Sequence, residues 1–437
     1  MKKYIALTAF LAVSVYSFGQ DVNKLIKQAD VETVIKTLSA DDMQGRGTFT
    51  PGIEKAAQYI EGLYKQIGLV PLTGNTDYRQ SFTKQRIIPG KTFVNINGKL
   101  IPQDSVFTHT GAASINWSNN SDVQVVKLGS DKNFTSEYRS ITRSGKKMLV
   151  LVDVQFTAIF GAMRDRSKMG SIAGKSNSDQ AQVFVLGNYD DIKSFDVSYT
   201  SKNEQSPLFN IVGMIPGKTK PDEYVVFSGH YDHLGIIRPA VKGDSIANGA
   251  DDDASGTTAV ITLAKYFKKL HNNARTIIFV AFTAEEIGGY GSQYFATKVD
   301  PDKVVAMFNI EMIGKASKFG ENSAFITGFE RSDFGTILQK NLEGTEFKFY
   351  PDPYPEQNLF YRSDNASLAA VGVPAHTVST DQIDIDKLYH TVGDEFSTLD
   401  VGNITSTIRA IALSSRGIIS GKDTPKRVPK LEQKQKN

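Results

Sequence analysis

The chain has 437 residues, 40% of them hydrophobic and 22% charged, enough for one large domain or two ordinary ones around a sizeable core. It contains no cysteine, which excludes disulfides, thiol nucleophiles and a cysteine-linked lipid anchor. The net charge of +3 sits at the ends: two lysines open the chain and residues 421–437 carry six Lys/Arg against two acids, so the body is mildly acidic and nucleic acid is not an expected partner.

Residues 1–19 have the parts of a signal peptide: Lys2 and Lys3, an apolar stretch from Tyr4 to Tyr16, and small residues at Ser17 and Gly19. Cleavage before Gln20 is expected, with export to the periplasm or the medium. The stretch is too short to span a bilayer comfortably and no later run is longer, so no membrane anchor is expected. From residue 20 to about 75 the apolar residues fall at helical intervals: Val22, Leu25, Ile26, Val31, Val34, Ile35 and Leu38, then "GIEKAAQYIEGLYKQIGL" with a glycine stop at Gly68.

Residues 91–204 change texture. Short β-type runs ("TFVNING", "DVQVVKL", "KKMLVLVDV", "AQVFVLG") alternate with polar Gly/Asn/Ser connections, which predicts a β-rich insertion. It interrupts a body made of residues 20–90 and 205–420. In the second part compact apolar runs ("LFNIVGMIPG", "EYVVFSG", "RTIIFVAFT", "KVVAMFNIE") alternate with amphipathic helices such as "SGTTAVITLAKYFKKL". That pattern predicts an α/β fold with a mostly parallel central sheet and helices on both faces. Residues 421–437 read as a disordered basic tail.

Open parallel sheets bind ligands at the carboxyl ends of their strands. Here those ends carry His230 and Asp232, Glu285 and Glu286, and Glu311. The triplet Asp251–Asp252–Asp253 precedes the helix after the first of these strands, and His390 follows in a polar loop. Each signal alone has an ordinary explanation, such as a solvated acidic turn or a helix-dipole partner. Together they bring two imidazoles and several carboxylates to one sheet edge. Such donors suit zinc or a similar divalent ion, and an aspartate bridging two cations would have its charge neutralised. No G-x-S-x-G elbow, P-loop or dinucleotide fingerprint is present.

The segments "GHYDHLG", "GADDDASG", "TAEEIGGYGS", "NIEMIG" and "LYHTVGDEF" resemble, in order and spacing, the secreted zinc aminopeptidase family, which includes bacterial leucyl aminopeptidases, glutamate carboxypeptidase II and glutaminyl cyclases. The resemblance covers 205–420 and extends more loosely to "LSADDMQGRGTFTPGIEKAAQYIEGLYKQIGLVPL"; the insertion sits where relatives carry a protease-associated domain. It implies a zinc-exopeptidase-like fold and two zinc ions per chain. His230 and Glu311 would hold one zinc, His390 and Glu286 the other, with Asp252 bridging and a cis bond at Asp252–Asp253. Asp232 would accept a hydrogen bond from the His230 ring, and Glu285 would be the general base. Relatives often have Asp at position 311, one methylene shorter than Glu311; they often show Ser-Asp-His where this chain has Ser363-Asp364-Asn365, and no role is assigned to those three residues. His233 is read as a non-ligand and His376 as structural.

The reaction this implies is removal of N-terminal residues from peptide substrates. A glutaminyl cyclase or a carboxypeptidase of the same superfamily, and an inactive binding protein on the same fold, are the alternatives. Cyclases usually place Trp before the final His, where this chain has Tyr389; its single Trp, Trp117, lies in the insertion. Side-chain preference and oligomeric state are not legible.

Overall fold

A computed structural model describes residues 22–173, 180–241 and 243–431. The leader-like residues 1–19 lie outside this range. Among the described residues no helix is long and apolar enough to cross a membrane. The chain divides into two compact units, one formed by the segment up to Phe82, Leu208–Ile236 and the residues from Ile246 on, the other by Thr83–Pro207 and Ile237–Ser245.

The larger unit is built on a sheet. Its strands are β1 (Phe195–Ile215, from Leu208 on in this unit), β2 (Lys220–His230), β3 (Arg275–Phe282), β4 (Val304–Ile310), β5 (Ser323–Ile326), β6 (Lys348–Pro351) and β7 (Ala375–Ser379). Their order across the sheet is β6-β5-β7-β4-β2-β3-β1. The four central strands β7, β4, β2 and β3 run parallel, while β1 and β5 are antiparallel to their central neighbours. The expected mostly parallel sheet is therefore present.

Side-chain alternation sends successive residues to opposite faces. Val225, Phe227, Ile277, Phe279 and Phe308 belong to one buried cluster with helices α1 (Gln28–Leu38), α2 (Pro51–Ile67), α3 (Gly256–Leu270), α5 (Phe334–Asn341) and α7 (Val401–Ser414). Val226, Ile278, Val280 and Met307 belong to another with α4 (Tyr290–Ala296) and α6 (Asn365–Ala369). Both faces are covered, which is why these strands read as unbroken apolar runs. Helix α2 ends as its sequence predicts: Gly68 takes the left-handed conformation at φ 80°, and its N–H closes the last turn onto Tyr64 and Lys65.

The smaller unit, expected to be β-rich, also contains helices. It has a four-stranded sheet in the order 106–110, 181–186, 147–152, 124–128, with the last two pairings parallel. It also has two helices, Phe134–Arg143 and Thr157–Lys168. The first is capped by Asn133, whose side chain accepts from Ser136 N. Its apolar residues Phe134, Tyr138 and Ile141 fall at i, i+4 and i+7 and pack into one buried cluster. The unit is also wider than 91–204 and takes in a second excursion, Ile237–Ser245.

The tail expectation is corrected for residues 421–431. Arg275, almost wholly buried, donates to Asp423 O and Thr424 Oγ1; Arg427 donates to Pro301 O and Val304 O. Val428 is buried in the cluster that holds α4 and α6. The tail's basic composition concealed one well-placed apolar residue, Val428, and one arginine, Arg427, that bonds to main chain. Residues 432–437 lie outside the described range.

Candidate metal centre and catalytic groups

Strand register places the chemistry. His230 closes β2 and is aligned with Phe282, the last residue of β3; Ile310, the last of β4, is aligned with Val378 of β7. Glu285 and Glu286 therefore follow β3 in a turn before α4, not in the helix itself, and Glu311 directly follows β4. All arrive at one edge of the sheet. Three backbones around them take positive φ at residues other than glycine: Ala284 at 58°, Met312 at 48° and His390 at 59°. Such conformations persist where surrounding contacts enforce them, and they gather at functional sites.

The acidic triplet is fully buried, and its carboxylates point to three different sets of partners. Asp251 Oδ1 accepts Gly314 N at 2.7 Å. Asp253 accepts His230 N (3.0 Å), Gly256 N (3.0 Å) and Met312 N (3.2 Å), so it caps α3 and ties it to β2 and to the end of β4. Helix and strand approach closely here: a Cβ on Gly256 would meet Ile310 O at 2.0 Å. The Asp252–Asp253 peptide is cis.

Asp252 faces two histidines. Its Oδ1 is 3.2 Å from His230 Nε2, and its Oδ2 is 3.2 Å from His390 Nε2. His230 Nε2 is also 3.3 Å from Glu311 Oε1, and His390 Nε2 is 3.2 Å from Glu286 Oε2. Each imidazole nitrogen thus stands equidistant from two carboxylates. One N–H cannot serve both well, and a charge-assisted hydrogen bond would be shorter, about 2.7–2.9 Å. Donors of one tetrahedral zinc with bonds of about 2.0–2.1 Å sit about 3.3 Å apart. Asp252 Oδ2 and Glu286 Oε1 are buried, and the polar groups nearest to them are imidazole nitrogens, His390 Nε2 at 3.2 Å and His233 Nδ1 at 2.7 Å. The residues fit two divalent cations sharing Asp252.

The electrostatics agree. Burial disfavours the charged ring of His230, yet Glu311 and Asp252 outweigh it and hold its pKa well above the usual imidazole range. His390 is likewise opposed by burial but pushed up to about 10 by Asp252 and Glu286. Burial would raise Asp252, and His233, His230 and His390 hold it well below the carboxylate range instead. The pocket demands positive charge, which protons or cations can supply. Glu285 goes the other way: burial first, then Glu311, Asp364 and Glu286, keep its carboxyl well above normal against the pull of His230.

Two expectations need revision. Asp232 does not accept the His230 ring proton through its carboxylate. His230 Nδ1 is 3.0 Å from the Asp232 main-chain oxygen, whereas Oδ1 lies 3.8 Å away. The Asp232 carboxylate instead accepts Glu285 N (3.1 Å), Glu286 N (3.3 Å) and Thr48 Oγ1 (3.1 Å), so it fixes the turn that carries both glutamates. His233 is part of the cluster: it is buried, and Nδ1 lies 2.7 Å from Glu286 Oε1 and 3.7 Å from Asp252 Oδ2.

Supporting residues escaped the sequence reading. Ser363 Oγ donates to Glu311 Oε2, and Asn309 Nδ2 holds Ser363 at 2.7 Å, leaving Glu311 Oε1 toward His230. Asp394, inside a quoted motif, accepts the N–H groups of Asp251 (2.9 Å) and Asp252 (3.0 Å). Arg46 is wholly buried and donates to the carbonyls of Leu38, Tyr231, Asn248 and Gly249 at 2.6–2.9 Å. Only the "GR" of the opening segment hinted at it. His376 is structural: Nδ1 is 2.8 Å from Thr327 O and Nε2 2.8 Å from Ser332 Oγ.

Residues 210–414 match Peptidase family M28, in agreement with the resemblance carried by the five motifs. The chain is 32% identical over 207 residues to leucine aminopeptidase 1 of Penicillium rubens and 29% over 206 residues to that of Ajellomyces capsulatus (strain H88). Each alignment covers 44% of this chain and 51% of the relative, so the chain spans about half the length of these curated relatives. The fold is that of the aminopeptidase from Aneurinibacillus sp. strain AM-1 (TM-score 0.57, 17% identity, 94% of this chain and 97% of that one). It is also that of a zinc aminopeptidase from Bacillus subtilis (TM-score 0.59, 15% identity, 90% and 95%).

Proposed function

We propose, from the match of residues 210–414 to peptidase family M28, that the chain is an exported zinc aminopeptidase acting on peptides with a free N-terminus. The carrying observation is the Asp252 carboxylate, each oxygen of which is 3.2 Å from a different histidine nitrogen. In this reading His230, Glu311 and Asp252 would hold one zinc, and His390, Glu286 and Asp252 the other. When bound, the two ions supply Lewis acidity to a scissile carbonyl and to water.

The chain's own groups do the rest. Glu285 takes a proton from the attacking water and delivers it to the leaving amine, and the raised affinity of its carboxyl for protons suits that exchange. Asp232, through the N–H groups of Glu285 and Glu286, positions base and ligand as one unit. The carboxylates around the centre attract the ammonium of an N-terminal residue. Residues 1–19 act as a cleaved leader, so the exported protein begins at Gln20.

A panel of aminoacyl-nitroanilides with N-blocked controls tests the reading; hydrolysis restricted to the blocked compounds would overturn it. Glu285→Gln is expected to lower kcat by about 10²–10⁴-fold with zinc content unchanged. A variant that keeps near-normal rates would remove Glu285 from the role of base.

A further inference from the structure

A second group of carboxylates lies beside the centre and takes no part in the proposed reaction. Asp251, Asp381 and Asp386 each offer an oxygen within 4.8 Å of the others. Asp251 is fully buried and Asp381 is 4% exposed. Neither oxygen of Asp381 accepts from an N–H or hydroxyl group; its polar neighbour is the Asp386 carboxyl. Lys315 Nζ is 2.6 Å from Asp386 Oδ2 and 3.3 Å from Asp251 Oδ2. With one lysine beside three carboxylates, the group must hold protons or a further cation. A buried ionised carboxylate with no partner is too costly to stand alone.

We propose that Asp251, Asp381 and Asp386 form a binding site for one hard divalent cation, Ca²⁺, separate from the two zinc positions. All protein donors are carboxylate oxygens, with no imidazole or sulfur, which selects a hard ion over zinc. Ca²⁺–O bonds of about 2.3–2.6 Å allow ligand oxygens up to roughly 5 Å apart, which the observed spacing satisfies. The Asp386 side chain is 5% exposed, so the three carboxylates enclose the ion. The placement gives the site a purpose. Asp251 immediately precedes the bridging Asp252, while Asp381 and Asp386 lie in the loop that leads from β7 to His390. One ion would brace both walls of the zinc centre.

The test uses the zinc-loaded full chain, equilibrated with CaCl2 and assayed for calcium and zinc together, so that calcium binding is read without reference to turnover. The wild type is expected to hold one calcium in addition to its zinc, with an affinity of roughly 10⁻⁴–10⁻³ M. Its melting temperature should rise by a few degrees as calcium is added. Asp381→Asn should lose both the calcium and the thermal response while keeping its zinc. The proposal is overturned if the wild type retains no calcium, or if Asp381→Asn retains as much as the wild type. It is equally overturned if the wild type ignores calcium and Asp381→Asn simply melts higher, since Asp381 would then be neutralised by a proton.

Discussion

Three neighbouring aspartates repel one another in water, and the fold separates their work. Asp253 bonds main-chain N–H groups from β2, α3 and the end of β4 and keeps an oxygen within 4.8 Å of a His230 ring nitrogen; Asp251 bonds Gly314 N; Asp252 lies 3.2 Å from two imidazoles. Glu311 shows the same economy, since Ser363 occupies Oε2 and leaves Oε1 at 3.3 Å from His230 Nε2. The extra methylene relative to the aspartate of many relatives is thereby held in one orientation. Ser363→Ala is expected to weaken zinc affinity by about 10–100-fold, as loss of such a support commonly does. Competition with a chromogenic chelator measures it, and an unchanged affinity would mean that Ser363 does not orient Glu311.

At the scale of elements, the site depends on loops pinned to the sheet. Arg46, in the turn before α2, gathers carbonyls from the end of α1, from the residue after β2 and from the loop before Asp252. Arg46→Met would leave four carbonyls unpaired and is expected to cost more than about 3 kcal/mol of stability. Chemical unfolding checks this; a loss below 1 kcal/mol, about the level of a surface change, contradicts it. Strand β7 carries a pH dependence in His376, which burial lowers to about 4. The fold holds the neutral ring, so stability from this group is full above its unfolded value near 6.5. It is lost as pH falls from there toward 4, by about 3 kcal/mol at most. His376→Gln should flatten that part of the stability profile; an unchanged slope would locate the acid sensitivity elsewhere.

These elements also show what a sequence can disclose. Apolar runs disclosed the central strands because both faces are covered, and five local motifs disclosed the ligand candidates because each sits at a strand end or turn. Arg46, Ser363 and Asp394 stayed hidden because their partners are remote in sequence: 202 residues separate Arg46 from Asn248, 52 separate Ser363 from Glu311, and 142 separate Asp394 from Asp252. For Asp232 the resemblance implied a carboxylate contact to the His230 ring, whereas its main-chain oxygen lies nearer, at 3.0 Å against 3.8 Å. His233 was set aside although the turn after β2 folds it back beside Glu286.

For the molecule as a whole, the buried centre concentrates negative charge, and histidines held strongly basic answer it. Ligands must shed those protons to bind a metal, so zinc loading is expected to release about two protons per chain near neutral pH. Titration calorimetry in buffers of different ionisation enthalpy reads that number, and a value near zero would contradict the charge balance. In the proposed function one aspartate would join two cations. Anomalous diffraction at the zinc edge from crystals of the zinc-loaded protein decides it. The account predicts two peaks about 3.5–4 Å apart, one on each oxygen of Asp252. One peak alone, or two that leave Asp252 outside their coordination, would contradict it.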